Sequence, residues 1–219
     1  SNVAMGSNAM NANTTGADNV AIGYRALRSN TTADQNTAVG WYALDANTTG
    51  KRNTAIGWQA LLSVTTGDFN TALGAYAGDS ITTADHNTFL GYDCGPACST
   101  GTFNVGVGGG AIHDTTTGSY NTALGYATLY NNTDTGECTA IGYLALQDST
   151  ADHNTAVGSR AGEETTTGAS NTFIGSNCGR ENTTGARNTA VGRSAFANTT
   201  GVDDCVAIGY YACANPTSG

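Results

Sequence analysis

"NTAVGWYALDANTTGKR" (residues 36–52) is followed directly by "NTAIGWQALLSVTTGDF" (residues 53–69). The second segment keeps Asn, Thr, Ala, an aliphatic residue and Gly, then an aromatic residue, Ala-Leu and Thr-Thr-Gly. Fixed points at constant spacing, with free positions between them, mark a repeat architecture. With Asn36 as offset zero, equivalent positions fall at 2, 19, 36, 53, 70, 87, 104, 121, 138, 154, 171, 188 and 205. Neighbouring starts are 17 residues apart, except that 138 and 154 are 16 apart. The unit fills residues 1–219, which predicts a single repeat domain.

Seventeen residues are too few for a helix pair. They suffice for two or three short strands joined by tight turns, which is one coil of a β-solenoid. The expected fold is therefore an all-β solenoid of about 13 coils. Each column of the stack has a physical reading. Offset four is Gly in every copy, from Gly6 to Gly209, as a corner with φ > 0 or a close backbone approach requires. Offset zero is Asn except at Cys138 and Cys205, which predicts an amide ladder bonding from coil to coil. Offset one is always Thr or Val, both suited to strands.

Offset three is always aliphatic: Met5, Ile22, Val39, Ile56, Leu73, Leu90, Val107, Leu124, Ile141, Val157, Ile174, Val191 and Ile208. Such a ladder is expected to form the coil core. Offset two would then point outward, because strand side chains alternate faces. It is nonetheless apolar: Ala21, Ala38, Ala55, Ala72, Phe89, Ala123, Ala140, Ala156, Phe173, Ala190 and Ala207, with Ala4 and Gly106 completing the column. A strand that is apolar on both faces is buried on both, so this column is the expected seam with another chain. A lone solenoid is the alternative.

Charged residues make up 11% of the chain, Gly counts 30 and Pro 2. The regularly spaced apolar positions separate it from a disordered segment of similar composition. A net charge of −9 and scattered basic residues argue against nucleic acid, whose binders gather Lys and Arg. No apolar run approaches the roughly 20 residues of a membrane-spanning helix.

The signals for chemistry are sparse. His86 and His153 sit in two copies of "ADHNT", and His113 stands alone; all three read as solvated turn residues. "GVGGG" (106–110) has no helix after it and is not a phosphate loop. No nucleophile or metal motif is present, so neither enzyme activity nor a cofactor is expected. Cys94, Cys98, Cys138, Cys178, Cys205 and Cys213 are read as free thiols replacing small residues, while Cys94–Cys98 and Cys205–Cys213 are close enough in sequence to pair. Aromatic residues recur at offset five: Tyr24, Trp41, Trp58, Tyr92, Tyr126, Tyr143 and Tyr210. They are candidate contacts for glycan, or a lining of the subunit seam. Two adjacent Thr columns at offsets twelve and thirteen raise ice binding as a second class of function, although ice binders usually space such residues as Thr-x-Thr.

The segments "NVAIG" (19–23) and "CVAIG" (205–209), with the "NTAVG" and "NTAIG" copies, resemble the head repeat of trimeric autotransporter adhesins. The longer unit is still more similar to repeats of bacteriophage tail fibres and related bacterial tail-fibre-domain surface proteins. The resemblance spans essentially the whole chain. It implies a left-handed β-roll in a parallel homotrimer, with the offset-two column as the trimer interface. It also implies a shaft or receptor-binding segment of an extracellular fibre. The implied partners are two further copies of the chain, other fibre or tail proteins and a host-surface glycan. The implied location is a virion tail fibre or a bacterial cell surface. The adhesin repeats are shorter than 17 residues, and no heptad stalk or anchor barrel is seen. The chain starts in mid-pattern at "SNVAMG" and stops at "ANPTSG", so it is expected to be a segment of a longer fibre.

Overall fold

The computed structural model describes residues 1–214. It is an all-β parallel solenoid whose period is the 17-residue repeat. Two compact units divide the described residues, the first Ser1–Gly109 and the second beginning at Gly110. The first holds β1 (Val3–Met5), β2 (Val20–Ile22), β3 (Thr37–Val39), β4 (Thr54–Ile56), β5 (Thr71–Leu73), β6 (Thr88–Leu90) and β7 (Val105–Val107). The second holds β8 (Thr122–Leu124), β9 (Thr139–Ile141), β10 (Thr155–Val157), β11 (Thr172–Ile174), β12 (Thr189–Val191) and β13 (Val206–Ile208).

Within each unit every strand pairs in parallel with the next, offset by offset. Thr37, Ala38 and Val39 lie beside Thr54, Ala55 and Ile56. The 16-residue interval does not disturb this register, since Thr139, Ala140 and Ile141 lie beside Thr155, Ala156 and Val157. The missing residue is therefore absorbed in the turn.

Among the described residues each coil has one three-residue strand rather than two or three, and the backbone shows why. Beyond the corner Gly the chain repeatedly enters the left-handed region, which no strand tolerates. In the coil from Asn19 these residues are Arg25 (φ 60°), Leu27 (φ 50°) and Gln35 (φ 62°), and the coils from Asn36 and Asn53 repeat the pattern. Coil-to-coil backbone bonds continue through this region, as in Leu27 N–H to Ala43 O (3.0 Å), Ser29 N–H to Asp45 O (3.0 Å) and Thr31 N–H to Thr48 O (3.1 Å). A left-handed residue costs roughly 1–2 kcal/mol. The stacked bonds offset that cost.

The corner glycine has both properties expected of it. Gly40 has φ +142°, and a Cβ placed there would meet the Gly57 carbonyl oxygen at 2.2 Å. Neither the angle nor the space admits another residue. The amide ladder also forms as expected. Asn19 Oδ1 accepts from Asn36 N–H (2.8 Å), Asn36 Oδ1 from Asn53 N–H (2.8 Å) and Asn53 Oδ1 from Asn70 N–H (2.9 Å). Each side-chain amide also donates across its own coil, as Asn36 Nδ2 does to Gly50 O (2.8 Å). These Asn side chains are buried, and their bonding satisfies the groups that burial removes from water.

The assignment of strand faces is opposite to the sequence expectation. Ala21, Ala38, Ala55, Ala72, Phe89, Ala123, Ala140, Ala156, Phe173 and Ala190 are wholly buried inside their own coils, and Ala207 is nearly so. This column is therefore core and not an interface with another chain. Offset three faces outward: Ile22, Val39, Leu90, Val107, Ile141, Val157 and Val191 are half-buried, while Ile56, Leu73, Leu124, Ile174 and Ile208 are exposed. The Thr of offset one shares that outer face. The interior is filled instead by offset two together with offsets seven and eight, as in Ala38 with Ala43 and Leu44.

Candidate functional site: an outward apolar ladder

The inverted strand faces create the main surface feature of the protein. Along each unit, the outer face of the sheet carries Thr or Val at offset one and an aliphatic side chain at offset three. Because the strands are in register, these side chains form continuous columns, one rung per coil. Leu73 is 48% exposed, Leu124 46% and Ile174 40%. A soluble chain rarely leaves a contiguous apolar stripe open to water, and such a stripe marks an interaction surface.

The offset-five aromatics extend this surface beyond the corner Gly. In the first unit the rings touch in sequence: Tyr24 and Trp41 (centroids 6.0 Å apart), Trp41 and Trp58 (6.0 Å, stacked), Trp58 and Tyr76 (5.0 Å), and Tyr76 and Tyr92 (6.1 Å). Tyr76 belongs to offset six, as does Tyr42, whose ring packs on Tyr24 (5.5 Å) and lies under the Arg25 guanidinium (4.4 Å). In the second unit Tyr126 and Tyr143 stack at 5.9 Å, and Tyr210 packs edge-on against Tyr211 at 4.6 Å. Between Tyr143 and Tyr210 the column carries Ser159, Ser176 and Arg193. Stacked neighbours such as Trp41 and Trp58 cover part of each other's faces, leaving less ring face for a sugar.

The arginines beside the ladder are already engaged. Arg25 and Arg28 both grip the buried Asp45 carboxylate, with Nε–Oδ1 distances of 3.2 and 2.9 Å. A second ring column, not apparent in the sequence, runs at offset sixteen: Arg52 lies over Phe69 (5.1 Å), Phe69 on His86 (4.8 Å) and His86 on Phe103 (4.8 Å). His113 likewise stacks on Tyr130 at 4.4 Å. The ring spacing matches the sheet repeat of about 4.8 Å.

His153 stays 57% exposed in its turn, as expected. Its Nε2 lies 3.3 Å from Glu137 Oε2, in a shallow cavity of about 300 Å³ lined by Thr117, Ser119, Tyr120, Asp134, Gly136, Glu137, Asp152 and His153. The cavity lies where the repeat is irregular. Asp134 replaces a turn Thr and accepts from the Thr116 and Thr117 hydroxyls (2.9 and 3.0 Å), and the next coil is one residue short. Among the described residues, no group of three or more His, Cys, Asp or Glu is placed to hold a metal ion. No helix among them is long and apolar enough to cross a membrane.

The offset-twelve Thr hydroxyls are committed to the coil stack. Thr14, Thr31, Thr48 and Thr65 donate to the carbonyls of Thr31, Thr48, Thr65 and Thr82 at 2.9–3.1 Å. Their protons are therefore directed to the neighbouring coil. Cys94, Cys98, Cys138 and Cys178 are buried, and burial pushes the Cys94 thiol up to about 12 and the other three to about 11. They are inert small residues at neutral pH.

Comparison with protein-family models, with curated proteins and with solved structures finds no match to this chain.

Proposed function

We propose that this chain is a structural shaft or receptor-binding segment of an extracellular homotrimeric fibre, in the manner of a phage tail fibre that mediates host attachment. The observation that carries the reading is the outward ladder of aliphatic side chains, exposed on a single chain and continuous along each unit. Three chains placed side by side, each turning this face inward, would remove it from water. The seam would then comprise Thr or Val at offset one and the aliphatics at offset three, edged by the aromatics at offset five.

The function on this reading is mechanical. A coil cannot bury its own upper and lower surfaces, so stacked coils build length from a narrow core. The partners are two copies of the same chain and other fibre or tail proteins, with a host-surface glycan as the receptor class. The location is the virion tail fibre or a bacterial surface.

Light scattering on the eluting peak tests the reading. The expected mass is about three times 22.1 kDa. A folded species at the single-chain mass would overturn it.

A further inference from the structure

The cavity beside His153 draws its walls from three successive coils. Offset thirteen supplies Thr117 and Asp134, offset fifteen Ser119 and Gly136, and offset sixteen Tyr120 and Glu137, while Asp152 and His153 come from the shortened coil that follows. Gly136 leaves the floor bare where the coils on either side carry Ser119 and Asp152. Two of the carboxylates are anchored from one side only. Asp134 Oδ1 accepts from the Thr116 and Thr117 hydroxyls (2.9 and 3.0 Å), and Asp152 Oδ1 accepts from Gly136 N–H (2.8 Å). Among the described residues, no donor reaches the second oxygen of either. Elsewhere in the chain carboxylates are met by basic groups: Asp45 by Arg25 and Arg28, Asp34 by Lys51, Glu163 by Arg180, and Asp203 and Asp204 by Arg187. Residues 53–159 contain no Lys or Arg. Of the lining side chains only His153 can carry a positive charge, and it faces Glu137.

We propose that this cavity binds a small organic ammonium ligand of the amino-sugar class. The positive charge answers the carboxylates that the chain leaves without a basic partner, through charge-assisted hydrogen bonds to the open oxygens of Asp134 and Asp152. The Tyr120 ring, 59% exposed, adds a face that attracts a cation and covers apolar surface. A bare metal ion does not fit, because no three His, Cys, Asp or Glu among the described residues are placed to hold one. A polyhydroxylated frame fits better than an alkyl chain: Thr117, Ser119, Glu137 and His153 offer partners to hydroxyl groups, and no lining side chain is aliphatic. The volume of about 300 Å³ is at the small end of ligand sites. The lining offsets are not those of the proposed seam, so the site belongs to a single chain and is independent of the assembly state.

The test is a ligand-observed NMR titration of the full chain at neutral pH with glucosamine, N-acetylglucosamine and putrescine. Glucosamine is expected to bind saturably and most tightly of the three. Acetylation removes the charge and should weaken binding about tenfold, the size of one lost hydrogen bond between charged groups. Asp152→Asn keeps an acceptor for Gly136 N–H but removes the charge, and should weaken glucosamine to a similar degree with an unchanged circular dichroism melt. Tyr120→Ala, at an exposed ring, provides a second variant and should also weaken it. Absence of saturable glucosamine binding would overturn the proposal. So would equal or tighter binding of N-acetylglucosamine or putrescine, or unchanged glucosamine affinity in the two variants.

Discussion

The coil starting at Asn53 and the coil starting at Asn87 fill the same interior with opposite residues. The first has Ala55 at offset two and Leu61 at offset eight, both wholly buried. The second has Phe89 and Gly95 at those offsets, and a Cβ on Gly95 would meet the Phe89 ring at 2.6 Å. The ring also fills space left by Gly78 in the coil before, where a Cβ would lie 3.0 Å from Phe89 Cδ2. The second unit repeats the exchange, with Phe173 against Gly179 and Gly162. Where a Phe stands at offset two, offset eight is Gly in its own coil and in the coil before, so the ring takes the room that Leu fills elsewhere. Such compensation is possible only if both positions face inward.

That comparison can be broken most severely by a charge in the Ala column. Ala55→Glu places an unpaired carboxylate in the core, at a cost of several kcal/mol, and should abolish cooperative folding in a circular dichroism melt. Next in size, Phe89→Ala leaves Gly95 and Gly78 facing a void and should cost about 3–5 kcal/mol in denaturant unfolding. Adding Gly95→Leu should recover a large part of that loss, because Leu27, Leu44, Leu61, Leu129 and Leu146 stand at this offset with the same positive φ. Failure of the double variant to exceed the single one would contradict the volume exchange.

A smaller effect is expected at the amide ladder. Asn53→Ala strips Asn70 N–H of its buried acceptor and should cost about 1–3 kcal/mol. The second unit has this defect by nature. Cys138 interrupts the ladder between Asn121 and Asn154, and its thiol has only weak acceptors, Ala151 O at 3.3 Å and Gly136 O at 3.6 Å. Nearby, both side-chain polar atoms of Asn132 and the Thr135 hydroxyl are buried without a protein partner. Cys138→Asn is expected to stabilise by about 1 kcal/mol, seen as a raised unfolding midpoint.

The buried thiols give a pH dependence of known sign. A thiol pushed above its ordinary value favours the neutral form in the fold, so its contribution is intact below pH 9. It is lost as pH rises from about 9 toward about 11, where the unfolded chain ionises first. Stability measured by denaturant should be flat in this respect through neutrality and fall in that alkaline window.

Much of this fold was legible in the sequence. The period gave the coil, the unvarying Gly gave the corner, and the Asn column gave the ladder, each through a local rule that the structure obeys. The face assignment was not legible from the strand alone, because offsets one to three are all apolar or β-branched and alternation does not say which side is inside. The deciding signal lay farther along the coil, in the matched change from Ala with Leu to Phe with Gly. The single strand per coil was hidden for a different reason. Ordinary residues such as Arg25, Leu27 and Gln35 adopt positive φ here because neighbouring coils bond them there, which a per-residue preference does not reveal. Of the surface, the offset-five aromatics were apparent, whereas the offset-sixteen ring column mixes Arg, Phe and His and has no composition signal.

The central claim is that the Ala column is core and the aliphatic column is the seam. Light scattering combined with circular dichroism on Leu73→Glu, beside the unaltered chain, tests it most directly. Leu73 is half open on a single chain, so a carboxylate there meets water and leaves the coil intact. The account predicts a multiple of 22.1 kDa for the unaltered chain and a folded single chain for the variant. An unchanged assembly mass in the variant, or loss of its β-sheet circular dichroism, would contradict it.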